Sequence, residues 1–266
     1  MKRALFLSLA VVMVLSLALA GCTQPAPPQA PTQVPAGPTE VPPLDISVVT
    51  DATWPPFEMV NETTKGLEGF DIDLMNAIAK EANLKINWVN IGWDALLAGM
   101  ATGQYDASIS VITITEDRKK DMLFSDPYYD AGQLIAVRID NNDIKGPADL
   151  KGKVAGAQLD TTGDIEIGKI DGAKRKPYDD VGQAILGLIN GQIDAVVADS
   201  PLIRGYVAKN ASKIKSVGEP FTEEYYGIAV RKGGEAILAR INAGLKAVKD
   251  QGLIEQLSDT WVKTAE

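Results

Sequence analysis

Ser110-Val111-Ile112-Thr113-Ile114-Thr115-Glu116-Asp117-Arg118 is the stretch on which the reading of this chain turns. The apolar run 107–112 predicts a buried strand, and the acidic pair after Thr115 predicts a helix start. Between them lie hydroxyls, peptide N–H groups and one guanidinium, converging on one point. A carboxylate placed there would meet a helix N-terminus and an arginine fork together. Alone, the same residues also read as a strand, a cap and a solvated charge run, so the flanking chain has to decide.

Upstream, Leu44–Thr50 is rich in β-branched residues and predicts a strand ending at Asp51-Ala52-Thr53-Trp54-Pro55-Pro56. The prolines force a loop that sets Asp51 and Trp54 beyond the strand's carboxyl end, the edge where open α/β sheets bind ligands. A helix is expected to start with Asp71 as its N-cap, burying Ile72, Met75, Ile78, Ala79 and Ala82 on one face. Residues 85–90 predict a second strand. Trp93 then starts a helix carrying Leu96, Leu97 and Met100, on the same edge as Asp51 and Trp54. Tyr128 and Tyr129 read as packing where the chain leaves this first lobe.

Downstream, Gln133–Arg138 is extended, and Val154–Gln158 predicts a strand entering Leu159-Asp160-Thr161-Thr162-Gly163. Strand, Thr/Gly loop and helix again suit anion capture by peptide N–H groups, although no phosphate-loop signature is present. An internal echo links the halves. Gly103-Gln104-Tyr105-Asp106-Ala107 is matched by Gly191-Gln192-Ile193-Asp194-Ala195, each between an amphipathic helix and an apolar strand. Two related α/β units follow, with Asp199 bringing a carboxylate to face Arg118. The runs Gln133–Arg138 and 225–230 are the expected two-strand hinge. The C-terminus is helical, with Trp261 on the apolar stripe and assigned to the core.

The start of the chain carries different information. Lys2 and Arg3 precede an apolar segment, 4–20, and Leu19-Ala20-Gly21-Cys22, which read together as an export signal at 1–21. The alternative is a transmembrane anchor, for which 17 residues lie at the lower limit. Leu-Ala-Gly-Cys resembles a bacterial lipobox, which makes Cys22, the single cysteine, the expected lipidation site and rules out an internal disulfide. Eight prolines in 22–43 make that segment an extended tether. The net charge of −9 argues against nucleic acid as a partner. With no histidine anywhere, Ser-His-Asp and Cys-His catalysis and His-ligated zinc are excluded. No metal or cofactor is expected.

With these residues assembled, residues 44–261 resemble the polar amino-acid-binding proteins of bacterial ABC importers, the family of glutamine, histidine and lysine-arginine-ornithine binders. The resemblance is carried by Gly69-Phe70-Asp71-Ile72-Asp73-Leu74, Ile112-Thr113-Ile114-Thr115-Glu116-Asp117-Arg118-Lys119-Lys120, Phe124-Ser125-Asp126-Pro127-Tyr128-Tyr129, Thr161-Thr162-Gly163 and Asp194-Ala195-Val196-Val197-Ala198-Asp199. It implies an α/β periplasmic-binding-protein type 2 fold, with two lobes joined by a two-strand hinge and the ligand cleft between them. The first lobe would hold 44–131 and 226–266, the second 132–225. It implies further that Arg118 clamps the ligand α-carboxylate with peptide N–H donors from Thr113 and Thr162, with Thr161 among the ligand-binding residues. The ammonium would fall to Asp199, Thr113 and Ser110, and the side chain to Asp51, Trp54, Trp93 and Gln158. Two departures from the family pattern stand out: Asp160 where glycine usually precedes the threonine, and Val111 where glycine is frequent.

A free L-amino acid and a membrane ABC permease are the implied partners, with lipid on Cys22 holding a monomer outside the cytoplasm. A carboxylate between aromatic faces favours a cationic side chain. Arginine is therefore expected first, then lysine or histidine, with glutamine as close rival because Asp51 can accept from an amide. A dehydratase on the same scaffold would need a cleft carboxylate, and Glu58, Asp160 and Glu166 are the candidates. A surface receptor or adhesin is the remaining alternative.

Overall fold

The computed structural model describes residues 42–263. The expected export signal, Cys22 and nearly all of the proline-rich tether lie outside the described residues. Among the described residues no helix is long and apolar enough to cross a membrane.

Two five-stranded sheets organise the chain, each the floor of an α/β lobe. The first runs in the order Leu84–Asn90, Leu44–Thr50, Ala107–Ser108, Ala229–Arg231 and Met122–Phe124. Its first three strands are parallel, and Ala229–Arg231 enters antiparallel to both neighbours. The second runs Lys174–Tyr178, Val154–Gln158, Ala195–Asp199, Gln133–Arg138 and Ile214–Val217, again with three parallel strands and an antiparallel strand beside them. Val48, Val49, Val196 and Val197 are fully buried, which is why these short strands carry near-continuous apolar runs.

The sequence echo has a single structural meaning. Gly103 and Gly191 both take φ near +70°, a left-handed turn that glycine adopts without penalty. The aspartate three residues later then ties down the neighbouring parallel strand. Asp106 Oδ2 accepts from the Ser47 backbone N–H at 2.9 Å, and Asp194 Oδ2 accepts from the Val154 N–H at 2.8 Å. Each lobe thus ties the second and third strands of its sheet together through one aspartate.

Several expectations are corrected. Only Ala107–Ser108 of the run 107–112 is strand. Val111 lies at φ +44°, which no ladder accommodates, so the chain leaves the sheet there. The helix expected after Thr115 is a four-residue piece, Arg118–Asp121, too short to act as a dipole-bearing anion site. Asp71 is not an N-cap. The helix Phe70–Glu81 is capped at Gly69, whose φ of +131° and collision course with the Phe57 carbonyl require a missing Cβ. Asp71 points inward instead. Trp261 is only half-buried, with its indole N–H donating to Asp73 at 2.8 Å.

The hinge also differs from expectation. Gln133–Arg138 is an interior strand of the second sheet, bonded on both sides. The crossing strands are Tyr129–Ala131 and Glu224–Tyr226, an antiparallel pair separate from both sheets. Aromatic packing stiffens it: the buried Tyr226 ring stacks on Tyr129 at 5.7 Å and meets Phe57 edge-on at the same distance.

Candidate functional site

The first-lobe wall is built where two parallel strands end side by side. Leu44–Thr50 delivers Asp51, and Ala107–Ser108 delivers Ser110. The Asp51 N–H donates to Ser110 Oγ at 3.0 Å, and that hydroxyl donates to Glu58 Oε1 at 2.8 Å. Ser110 is therefore committed within the wall. Val111 follows in its left-handed conformation, a strain on the order of 1–3 kcal/mol for a β-branched residue, held by its N–H donating to Asp71 Oδ2 at 2.9 Å. Thr113 pairs with Tyr226 as an isolated bridge, tying the loop to the hinge.

Arg118 reaches from this lobe to the other. Its Nη1 donates to the Thr113 carbonyl at 3.0 Å and its Nη2 to the Asp160 carbonyl at 3.3 Å. The guanidinium carbon sits 5.1 Å from the Trp93 ring centroid, a cation–π contact that orients the fork. Burial draws the guanidinium below its usual pKa, opposed by the negative charges of Asp199, Glu224 and Asp160. These bonds engage two of the five N–H donors.

On the second lobe, Asp160 takes φ +58°, a left-handed position that aspartate tolerates. Both departures from the family pattern, Val111 and Asp160, thus fall where the backbone needs positive φ. Thr161 caps the helix Thr162–Lys169, its hydroxyl accepting from the Asp164 N–H and donating to the Gln158 carbonyl at 2.7 Å. Gly163 lets this helix lie close on the sheet, since a Cβ there would come within 2.7 Å of the Val197 carbonyl and of Gln133 Oε1. Asp199, at the end of Ala195–Asp199, accepts from Gln133 Nε2 at 2.7 Å and from the Tyr226 hydroxyl at 2.6 Å. Burial, then the nearby Glu224 charge, raise its pKa to about 6, with Tyr226, Gln133 and Arg118 pulling the other way.

Gln158 crosses between lobes. Its Oε1 accepts from Trp54 Nε1 at 2.6 Å, and its Nε2 donates to Asp51 Oδ2 at 3.1 Å. Burial raises the Asp51 pKa, with the Gln158 and Thr53 hydrogen bonds opposing. Trp54, Trp93, Ser110, Thr113, Arg118, Thr161, Thr162 and Asp199 line a narrow cleft together with Val111. Asp51 and Gln158 stand behind that lining, bonded to each other.

Two site residues, Glu224 and Gln133, are not singled out by the sequence pattern. Glu224, on the hinge strand and buried, accepts at Oε2 from the Thr113 hydroxyl at 2.8 Å and the Thr162 hydroxyl at 2.7 Å. Its other oxygen accepts from Thr222 at 2.8 Å. One carboxylate thus gathers a hydroxyl from each lobe. Gln133, which reaches both Asp199 and Thr162, was missed as well. The Glu223-Glu224 pair beside two tyrosines was the available signal, but the hinge strand had been expected to begin one residue later.

The carboxylates that an enzyme would need are elsewhere. Glu58 is fully buried behind Ser110, Glu166 pairs with Lys169 at 2.6 Å, and Asp160 contributes its carbonyl to Arg118. Among the described residues no group of three or more His, Cys, Asp or Glu is arranged to hold a metal ion.

The Neisseria gonorrhoeae protein named "Probable histidine-binding protein" is 39% identical over 220 residues, covering 79% of this chain and 80% of that one. ABC transporter arginine-binding protein 1 of Escherichia coli is 33% identical over 222 residues, covering 81% and 90%. Among solved structures, an ancestral arginine-binding protein bound to arginine superposes with a TM-score of 0.78 at 41% identity, covering 82% of this chain and 97% of that one. Residues 46–264 match the family model, and the chain belongs to the bacterial extracellular solute-binding proteins, family 3, as a binding component and not an enzyme.

Proposed function

We propose that this protein captures L-arginine outside the cytoplasm and hands it to an ABC permease. The observation that carries the choice of arginine is the charge balance of the site. Asp199, Glu224 and Asp160 act on a single cation, Arg118, and Asp51 adds a further carboxylate behind Trp54 and Gln158. A zwitterion with a cationic side chain offsets the surplus negative charge, whereas glutamate would add to it. Arg118 holds the α-carboxylate with Thr113, Thr161 and Thr162 alongside, and Asp199 takes the ammonium. Each charge-assisted contact contributes roughly 1.5–3 kcal/mol. Trp54 and Trp93 flank the side chain, each ring adding roughly 0.5–2 kcal/mol to a cation.

The relatives named for arginine support this reading. So does the grouping of Arg118 with Asp160 and of Trp54 with Gln158, contacts between lobes that a ligand touching both would strengthen. Such a ligand binds the closed arrangement better and shifts the population toward it. Residues 44–131 with 226–266 move as one lobe in this scheme, 132–225 as the other. Lipid on Cys22 and the tether at 22–43 keep a monomer near its permease.

A second reading, glutamine, is favoured by one specific contact. The Gln158 side chain already sets a primary amide against Asp51 Oδ2 and the Trp54 indole N–H. A glutamine ligand would repeat that chemistry. Isothermal titration calorimetry with a panel of free amino acids decides: arginine tightest supports the first reading, glutamine tightest the second, and selective binding of glutamate or an apolar side chain overturns both.

A further inference from the structure

Beneath the Ser110–Val111 segment lie two carboxyl groups that the binding scheme leaves unused. Glu58, on the short strand Glu58–Val60, and Asp71, in the first turn of Phe70–Glu81, are both 0% exposed. Each holds one residue of the ligand loop. Glu58 Oε1 accepts from the Ser110 hydroxyl at 2.8 Å, and Asp71 Oδ2 accepts from the Val111 N–H at 2.9 Å and the Tyr128 hydroxyl at 2.8 Å. The other oxygens, Glu58 Oε2 and Asp71 Oδ1, are buried and have no hydrogen-bond partner. Each carboxyl feels the other, and two buried oxygens without a partner call for a proton on one of the pair.

We propose that Glu58 and Asp71 share a single proton and act together as positioning residues for the Ser110–Val111 wall of the amino-acid cleft, so that loss of this proton loosens the wall and weakens binding. Two neighbouring carboxylates sealed from water cannot both be ionised at neutral pH. The titratable groups facing the pair among the described residues add no positive charge: Asp51 acts on Glu58, and Tyr128 bonds Asp71. Burial raises both carboxyls, and the Asp71 charge pushes Glu58 further up, so the proton rests on Glu58. Asp71 remains a double acceptor for Val111 and Tyr128. The arrangement explains how Val111 is kept at φ +44° without glycine: its N–H is gripped by a carboxylate that a neighbouring acid keeps in place. Ionising Glu58 would drive the two carboxylates apart and pull on Ser110 and Val111 at once.

The test has one arm that needs no ligand. In infrared difference spectra of the whole protein, a protonated-carboxyl C=O band is expected at neutral pH. It should vanish on raising the pH and be missing in Glu58→Gln. The second arm rests on the amino-acid-binding reading and uses L-arginine as probe. Its Kd should rise with pH more steeply in the wild type than in Glu58→Gln, by up to about tenfold per pH unit for one linked proton. Glu58→Ala should bind weakly, and Glu58→Gln should recover the lost affinity because its amide is a neutral stand-in for the protonated carboxyl. Absence of the infrared band at neutral pH overturns the shared proton. Identical pH profiles in the wild type and Glu58→Gln overturn the positioning role. If Glu58→Gln does not fold, Asp71→Asn takes its place, with the same band expected to change. If arginine does not bind, the pH dependence of Val111 amide hydrogen exchange replaces the affinity arm, and protection that persists after the band is lost overturns the role.

Discussion

Arg118 separates fold from function at the scale of single residues. Its fork bonds two backbone carbonyls, one from each lobe, and lies against Trp93, yet no strand or helix depends on it. Arg118→Ala is expected to leave the thermal unfolding midpoint nearly unchanged and to weaken amino-acid binding by about a hundredfold or more, the equivalent of roughly 3 kcal/mol of lost charge-assisted contact. Calorimetry beside a circular-dichroism melt measures both. Asp199 obeys a different logic. Its folded pKa, about 6, is above the ordinary carboxylate value, so the native state binds more protons than the unfolded chain between those two values. Stability is therefore highest below the ordinary range and declines as pH rises to about 6, by about 3 kcal/mol at most. Ligand affinity runs the opposite way, since the ammonium contact needs the ionised form and fades as pH falls through about 6. Asp199→Asn should flatten both profiles while binding amino acids poorly, which urea titrations and calorimetry across pH 5–8 would reveal. Chemical type made Arg118 and Asp199 legible in the sequence. Glu224 was not, because a three-residue strand is too short to show a period in the sequence, and its role comes entirely from what the two lobes bring to it.

Among the elements, the helix Thr162–Lys169 best joins local chemistry to the site. Thr161 caps it, and Gly163 lets it settle onto the second sheet against Val197 and Gln133. Gly163→Ala is expected to destabilise the protein by about 1–3 kcal/mol, since neither the Val197 carbonyl nor the adjacent strand has room to retreat. Because Gln133 also serves Asp199 and Thr162, the same change should reduce affinity, and chemical denaturation paired with calorimetry would detect both effects. The Gly-Gln-x-Asp-Ala repeat was fully readable, since a left-handed glycine and a strand-tying aspartate leave a fixed spacing. The helix start near Glu116 was not. Its acidic pair forms ion pairs with Lys119 and Lys120 at 2.7 and 2.6 Å on the surface, and only four residues take helical form. Asp71 misled for a related reason: a capping residue and a buried acid one position further look alike until the partner, Val111, is known.

For the whole molecule, the hinge carboxylate Glu224 is the group expected to bias the proposed lobe closure. Glu224 accepts a hydroxyl from Thr113 on one side and from Thr162 on the other, which favours closure even before a ligand arrives. Glu224→Ala should enlarge the ligand-free radius of gyration in small-angle scattering, with a saturating amino acid restoring compaction. An unchanged radius would show that the clasp adds nothing to the lobe equilibrium. The order in which the strands enter the two sheets has a consequence for synthesis. The second sheet draws all its strands from one uninterrupted stretch, Gln133 to Val217, whereas the first waits for Ala229–Arg231 to slot between Ala107–Ser108 and Met122–Phe124. A growing chain therefore holds every strand of the later lobe before the earlier lobe can close, and the half made first is the half that finishes folding last.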